Sequence, residues 1–203
     1  MPAPRYPVQV RELLENLALL GCAVYATIPA FWLTLHPFAR HWRTRGRDSF
    51  KTILPLWLLY IALAALAMSP WRHTHLYQST IAFTVGAILV VAGLLLYALA
   101  SRNFTHVQLS GLAEVEPDRH AQQLITTGIR SRVRHPIYLG HLCELLGWSI
   151  LFGTFSLFAL TLFAVVSGVV MLRLEDNELE ARFGEPYRQY RRRVPAIFPT
   201  LFS

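Results

Sequence analysis

Two polar stretches in this chain carry residue types that can bind charge and move protons. Residues 132–140 read RVRHPIYLG, and residues 172–190 read LRLEDNELEARFGEPYRQY. In the first, Pro136 has no amide proton to donate and suits the first turn of a helix, which places His135 where backbone N–H groups are unpaired. Such a helix start, flanked by Arg134, attracts anions, while Tyr138 one turn on could equally be an interfacial anchor. In the second, a helical period puts Leu172, Glu175, Asp176, Leu179 and Phe183 on one face, with Asn177, Glu180 and Ala181 pointing elsewhere. Two carboxylates therefore share an apolar stripe. Burying a carboxylate is costly without a cation or donor partner, so this placement favours binding over simple solvation. Gly184 and Pro186 should end that helix.

These motifs sit between segments suited to lipid. Of 203 residues, 54% are hydrophobic and only 15% charged, with a mean hydropathy of +0.37. Leu17 to Leu35, Ile53 to Ser69 and Ser79 to Ala100 contain no Asp, Glu, Lys or Arg, and each approaches the roughly 20 residues that a helix needs to cross a bilayer core. Two shorter apolar blocks, Ile137 to Phe152 and Phe155 to Leu172, are separated only by Gly153 and Thr154, which implies an antiparallel hairpin. The expected fold is all-α: an integral membrane bundle of five transmembrane helices, with a C-terminal helical hairpin and a cytoplasmic C-terminal helix. Residues 1–100 would form a three-span region. Residues 101–203 would form the functional core: a loop, the hairpin at 137–172 and a C-terminal segment.

Charge gives an orientation. Arg40, Arg43, Arg45, Arg47 and Lys51 follow the first span; Arg102, Arg119, Arg130, Arg132 and Arg134 follow the third; Arg182, Arg188, Arg191, Arg192 and Arg193 follow the fifth. Only Arg5, Arg11 and Arg72 fall on the other side. The positive-inside rule then puts the N-terminus outside and both polar motifs in the cytoplasm. Attraction to anionic membrane lipid accounts for these arginines, and a nucleic-acid partner is not indicated.

Other candidates are weaker. Glu144 and His141 lie one helical turn apart inside a span, which marks a functional site or an internal pair that fixes packing. Cys22 and Cys143 read as buried small hydrophobes. His73-x-His75 lacks a third ligand nearby in sequence, so no metal site is expected.

From Leu124 to Pro199 the order L-x-x-x-G, RHPIYLG, hairpin, ED-x-x-L-x-x-x-FG-x-x-Y-x-x-Y, VP-x-x-x-P resembles the isoprenylcysteine carboxyl methyltransferases and related phospholipid methyltransferases of membranes. The resemblance implies an S-adenosylmethionine-dependent methyltransferase. It also implies that Gly128, Arg134, His135, Tyr138, Leu139, Glu175, Asp176 and Leu179 form the cofactor site. The chain departs from the usual pattern in having Asp176 where a second glutamate is common, and Gly128-Ile129-Arg130 where Gly-Pro-Tyr is common.

The acceptor would be lipophilic. A carboxylate acceptor is already ionised at neutral pH and needs only an orienting arginine, for which Arg173 and Arg193 are the candidates. An amine or thiol must lose a proton, with His141 or Glu144 as base. A carboxyl O-methyltransferase is the leading expectation, and a phospholipid N-methyltransferase or thiol S-methyltransferase the alternative. An NADPH-dependent membrane reductase and a non-enzymatic membrane scaffold are the competing readings from other classes.

Overall fold

The structure, a computed structural model, describes residues 8–102, 106–117, 119 and 123–198. Arg5 and Pro199 of the sequence patterns lie outside that set. Among the described residues, nine α-helices run α1 (Val8–Leu35), α2 (Ala39–Arg43), α3 (Phe50–Met68), α4 (Thr80–Ser101), α5 (His106–Leu109), α6 (Leu112–Val115), α7 (Pro136–Phe152), α8 (Phe155–Phe183) and α9 (Glu185–Arg193). Of these, α1, α4 and α8 are long and apolar enough to cross a membrane, as is the run Gly46–Trp71 that contains α3; α7, at 17 residues, is shorter.

Their surfaces agree with a lipid surrounding. Leu58, Leu63 and Leu66 of α3 and Ile81, Ile88 and Leu95 of α4 are exposed. In water, that much contiguous apolar surface would favour association, whereas against acyl chains it carries no such cost. The inward faces instead use small residues. Gly86 and Gly93 of α4 lie against Gly147 and Gly140 of α7, and a Cβ on Gly93 would come within 2.5 Å of the Glu144 Cγ. The heptad spacing keeps both glycines of each helix on the same seam, so the backbones approach closely. α1 packs between α3 and α8, with Ala18, Cys22, Ala23 and Ala26 meeting Leu145, Leu157, Leu160 and Ala164.

The expected hairpin is present. Gly153 turns the chain at a φ of +63°, a conformation that favours glycine, and its carbonyl accepts from the Leu76 amide at 2.7 Å. One expectation changes in detail. The fifth apolar block and the carboxylate-bearing helix are a single helix, α8, of 29 residues. At 1.5 Å per residue it is about 43 Å long, so more than a turn extends beyond a hydrocarbon core of about 30 Å. Gly184, at a φ of +61°, ends it and admits α9.

On the opposite side of the bundle from the polar motifs, the His73-x-His75 loop does have a third polar partner. Oε2 of the buried Glu15 of α1 contacts His73 Nδ1 at 2.6 Å, while its Oε1 lies 3.3 Å from His75 Nε2 and accepts from Arg11 Nε at 2.8 Å. With Arg11 also 2.7 Å from His75 Nε2, the cluster is a satisfied ion-pair clamp that ties α1 to the α3–α4 loop.

Candidate active site

A cavity of about 720 Å³ opens where α1, α3, α4, α7, α8 and α9 meet. Its polar end is built by the two sequence motifs, which the fold brings together. The Arg134 and His135 amides donate to the Pro195 and Ala196 carbonyls at 2.9 and 3.0 Å. This docks the start of α7 on the segment after α9. Arg134 then reaches further, donating to the Val194 and Arg191 carbonyls and to Asp176 Oδ2 at 2.7 Å.

Asp176 is the centre of this knot. Its Oδ1 also meets His135 Nε2 at 2.9 Å and accepts from the Tyr187 hydroxyl. The aspartate is buried, and three partners offset the cost of burying it. Burial and the hydrogen bond to Asp176 both push the Tyr187 phenol well above its ordinary range, so it stays a donor. Tyr190, also held protonated by burial, donates to the Arg130 carbonyl at 2.7 Å. Arg130 itself is buried enough to lower its pKa, and it lines the cavity although only the loop at 128–131 carries it there.

The predicted residues now separate. Arg134, His135, Tyr138, His141, Glu175 and Leu179 line the cavity. Asp176 does not: both of its oxygens are taken by protein groups, so its part is to hold Arg134 and His135 in place. Gly128 and Leu139 also lie off the lining. Gly128 starts the turn that delivers Arg130, and Leu139 only continues α7. Arg173 and Arg193, proposed to orient a carboxylate, are exposed and absent from the lining, with Arg193 Nε donating to the Gln189 carbonyl within its own helix. Glu144 is buried against Gly93 in the α4–α7 seam, facing the Tyr25 hydroxyl, and is not part of the cavity wall.

Glu175 differs from its neighbour. Its side chain faces the cavity, the basic nitrogen paired with it among the described residues is His135 Nδ1 at 3.7 Å, and its buried Oε2 has no hydrogen-bond partner among them. That oxygen can accept from an ammonium or hydroxyl donor. With the imidazole of His135 and the guanidinium of Arg134 nearby, the end can hold a zwitterion such as an amino acid group.

The deeper end is aromatic and was not legible from the motifs. Around His141 stand Tyr25 at 5.0 Å, edge-on, Tyr97 at 5.5 Å, stacked, and Tyr138 at 6.3 Å between ring centres. Phe31, Trp32 and Trp57 continue the wall. At the mouth, His36, raised in pKa because its contacts with Glu178 and nearby carboxylates outweigh its burial, pairs with Glu178 at 2.7 Å. His36, Glu114 and Glu178 have the atoms of a metal site within 4.8 Å of one another, but Arg182 bonds both carboxylates and balances their charge.

Among known proteins, the chain is 34% identical over 105 residues to a protein-S-isoprenylcysteine O-methyltransferase of Schizosaccharomyces pombe, covering 50% of this chain and 41% of that one. It is 41% identical over 71 residues to methanethiol S-methyltransferase 2 of Bradyrhizobium diazoefficiens, covering 35% of this chain and 27% of that one. It is also 32% identical over 163 residues to the cobalt-zinc-cadmium resistance protein CzcN of Cupriavidus metallidurans, covering 78% and 69%. The chain thus spans well under half the length of the first two relatives. No solved structure matches it. The phospholipid methyltransferase family pattern matches residues 81–186, just over half of the chain, taking in α4, the RHP segment, α7 and α8. The chain belongs to the phospholipid methyltransferase family.

Proposed function

We propose that this protein is a membrane methyltransferase that uses S-adenosylmethionine to methylate a lipophilic acceptor. The observation that carries the reading is the two-ended cavity: a polar end that suits an amino acid zwitterion, joined to an aromatic end that suits an apolar molecule. The residues fit the cofactor. Glu175, with its unpartnered buried oxygen, would accept from the ammonium, Arg134 and His135 would face the carboxylate, and the phenol faces of the aromatic end would favour a sulfonium by cation–π attraction. When bound, the cofactor supplies a methyl group on a carbon already activated for displacement. The chain's own part is to align the acceptor and exclude water.

The arrangement is proposed to have five spans, the N-terminus outside and the site at the cytoplasmic surface, where the arginine clusters gather. A water-soluble cofactor would then enter from the cytosol and the acceptor from the bilayer. Calorimetry on the detergent-solubilised protein tests the reading: S-adenosylmethionine should bind at one site and NADPH should not, whereas NADPH binding alone would replace this reading with the reductase one.

A further inference from the structure

We propose that His141 is the catalytic base of this site and that the acceptor is therefore a proton-bearing neutral nucleophile, a lipophilic thiol; this rests on the methyltransferase reading above. Two observations place His141 for the task. It lies six residues beyond His135 on α7, about 9 Å along the helix axis, so it is set back from the polar end by roughly two turns. Its ring lines the cavity, boxed by Tyr25 and Tyr97 from α1 and α4 and by Tyr138 from its own helix, and its Nδ1 is enclosed with no hydrogen-bond partner among the described residues. Glu144, one turn on, faces Tyr25 from behind the wall. An imidazole that only stabilised packing would be expected to spend a ring nitrogen on a neighbour.

The same wall argues against the other acceptors. A carboxylate taken into it would meet phenol and indole rings, since Arg173 and Arg193 lie outside the cavity and Arg130 and Arg134 stand together at its polar end. Burying that charge without a cation is unfavourable. An alkylammonium, with an ordinary pKa near 10.4, gives up its proton less readily than a thiol near 8.5. A thiol enters neutral and apolar. Its sulfur then bonds to the methyl carbon as that carbon's bond to the sulfonium sulfur breaks, and the bonding pair stays on the departing sulfur. The thiol proton passes to a ring nitrogen of His141. The positive charge lost at the sulfonium reappears on the imidazolium.

The test uses purified full-length protein in lipid nanodiscs, S-adenosylmethionine, and long-chain alkanethiols, arenethiols, fatty carboxylates and alkylamines as acceptors at neutral pH. Alkanethiols should be methylated, and His141→Phe should slow that single-turnover reaction by about 10²-fold or more. Arenethiols, whose thiol proton leaves far more readily, should be slowed far less than alkanethiols by His141→Phe. Calorimetric binding of S-adenosylmethionine should survive in His141→Phe, and histidine-selective NMR should show the His141 ring shifting with alkanethiol but not with the matching alkane. Methylation of carboxylates or amines in preference to thiols overturns the proposal while leaving the methyltransferase reading intact. Equal loss of both thiol classes in His141→Phe overturns the role of His141, and absence of S-adenosylmethionine binding in the parent protein overturns both readings.

Discussion

The two ends of the cavity are built on opposite terms. At the polar end, Asp176 binds Arg134, His135 and Tyr187 at once, and the start of α7 is tied by backbone hydrogen bonds to the segment after α9. At the aromatic end, His141 keeps an enclosed nitrogen without a partner among the described residues, inside a wall of tyrosines drawn from three helices. The difference teaches where order is needed before a ligand arrives. A cofactor that must be held in one orientation gains from donors and acceptors already fixed in place. A reacting group has to be left with bonding capacity that the fold does not consume.

If that contrast is right, the largest effect comes from breaking the knot. Asp176→Ala removes the shared partner of a buried arginine and histidine, and losing one member of a buried ion pair typically costs about 3–5 kcal/mol. Thermal unfolding in detergent should show that loss, and S-adenosylmethionine binding should fall with it because Arg134 and His135 are no longer held. Unaltered stability would mean that the knot does not organise this end.

A smaller and more selective effect is expected next door. Glu175→Gln replaces a carboxylate that faces the cavity, with the His135 ring nitrogen 3.7 Å away. It should weaken S-adenosylmethionine binding by about 1–3 kcal/mol, the range for removing one partner of a buried hydrogen bond, and leave the melting temperature where it was. Adjacent carboxylates would thus divide into one for structure and one for ligand. Equal loss of stability in both variants would erase the division.

That division marks the limit of what the sequence could tell. The apolar blocks and the hairpin turn at Gly153 were legible because each depends on local composition or on the period of one helix, whereas the meeting of the RHP and ED motifs was implied only by the family resemblance. The separate tasks of Glu175 and Asp176 were not, since successive helical residues differ by about 100° in direction and only the neighbouring elements decide which way faces the cavity. The aromatic end was hidden for another reason. Tyr25 and Tyr97 lie far from His141 in sequence, and tyrosines on apolar spans carry no motif. Glu15 is hidden in the same way, 58 residues from the His73 it contacts.

The smallest expected effect sharpens the contrast by testing what lies outside it. Arg173 and Arg193 flank the motifs in sequence, which alone would suit them to steering a carboxylate. Yet Arg173 is two residues before Glu175, about 200° around α8 from it, and Arg193 sits in the last turn of α9, where a basic side chain is favourable against the helix dipole and the lipid surface. Both are exposed. Exposed charges of this kind usually contribute within about 0.5 kcal/mol. Arg173→Ala and Arg193→Ala should therefore leave S-adenosylmethionine affinity and the rate of alkanethiol methylation unchanged, and should lower only the attraction of the α8–α9 end to vesicles rich in anionic lipid. A drop in the rate of methyl transfer to a carboxylate acceptor in either variant would return that arginine to the site and with it the carboxylate chemistry that the aromatic wall disfavours.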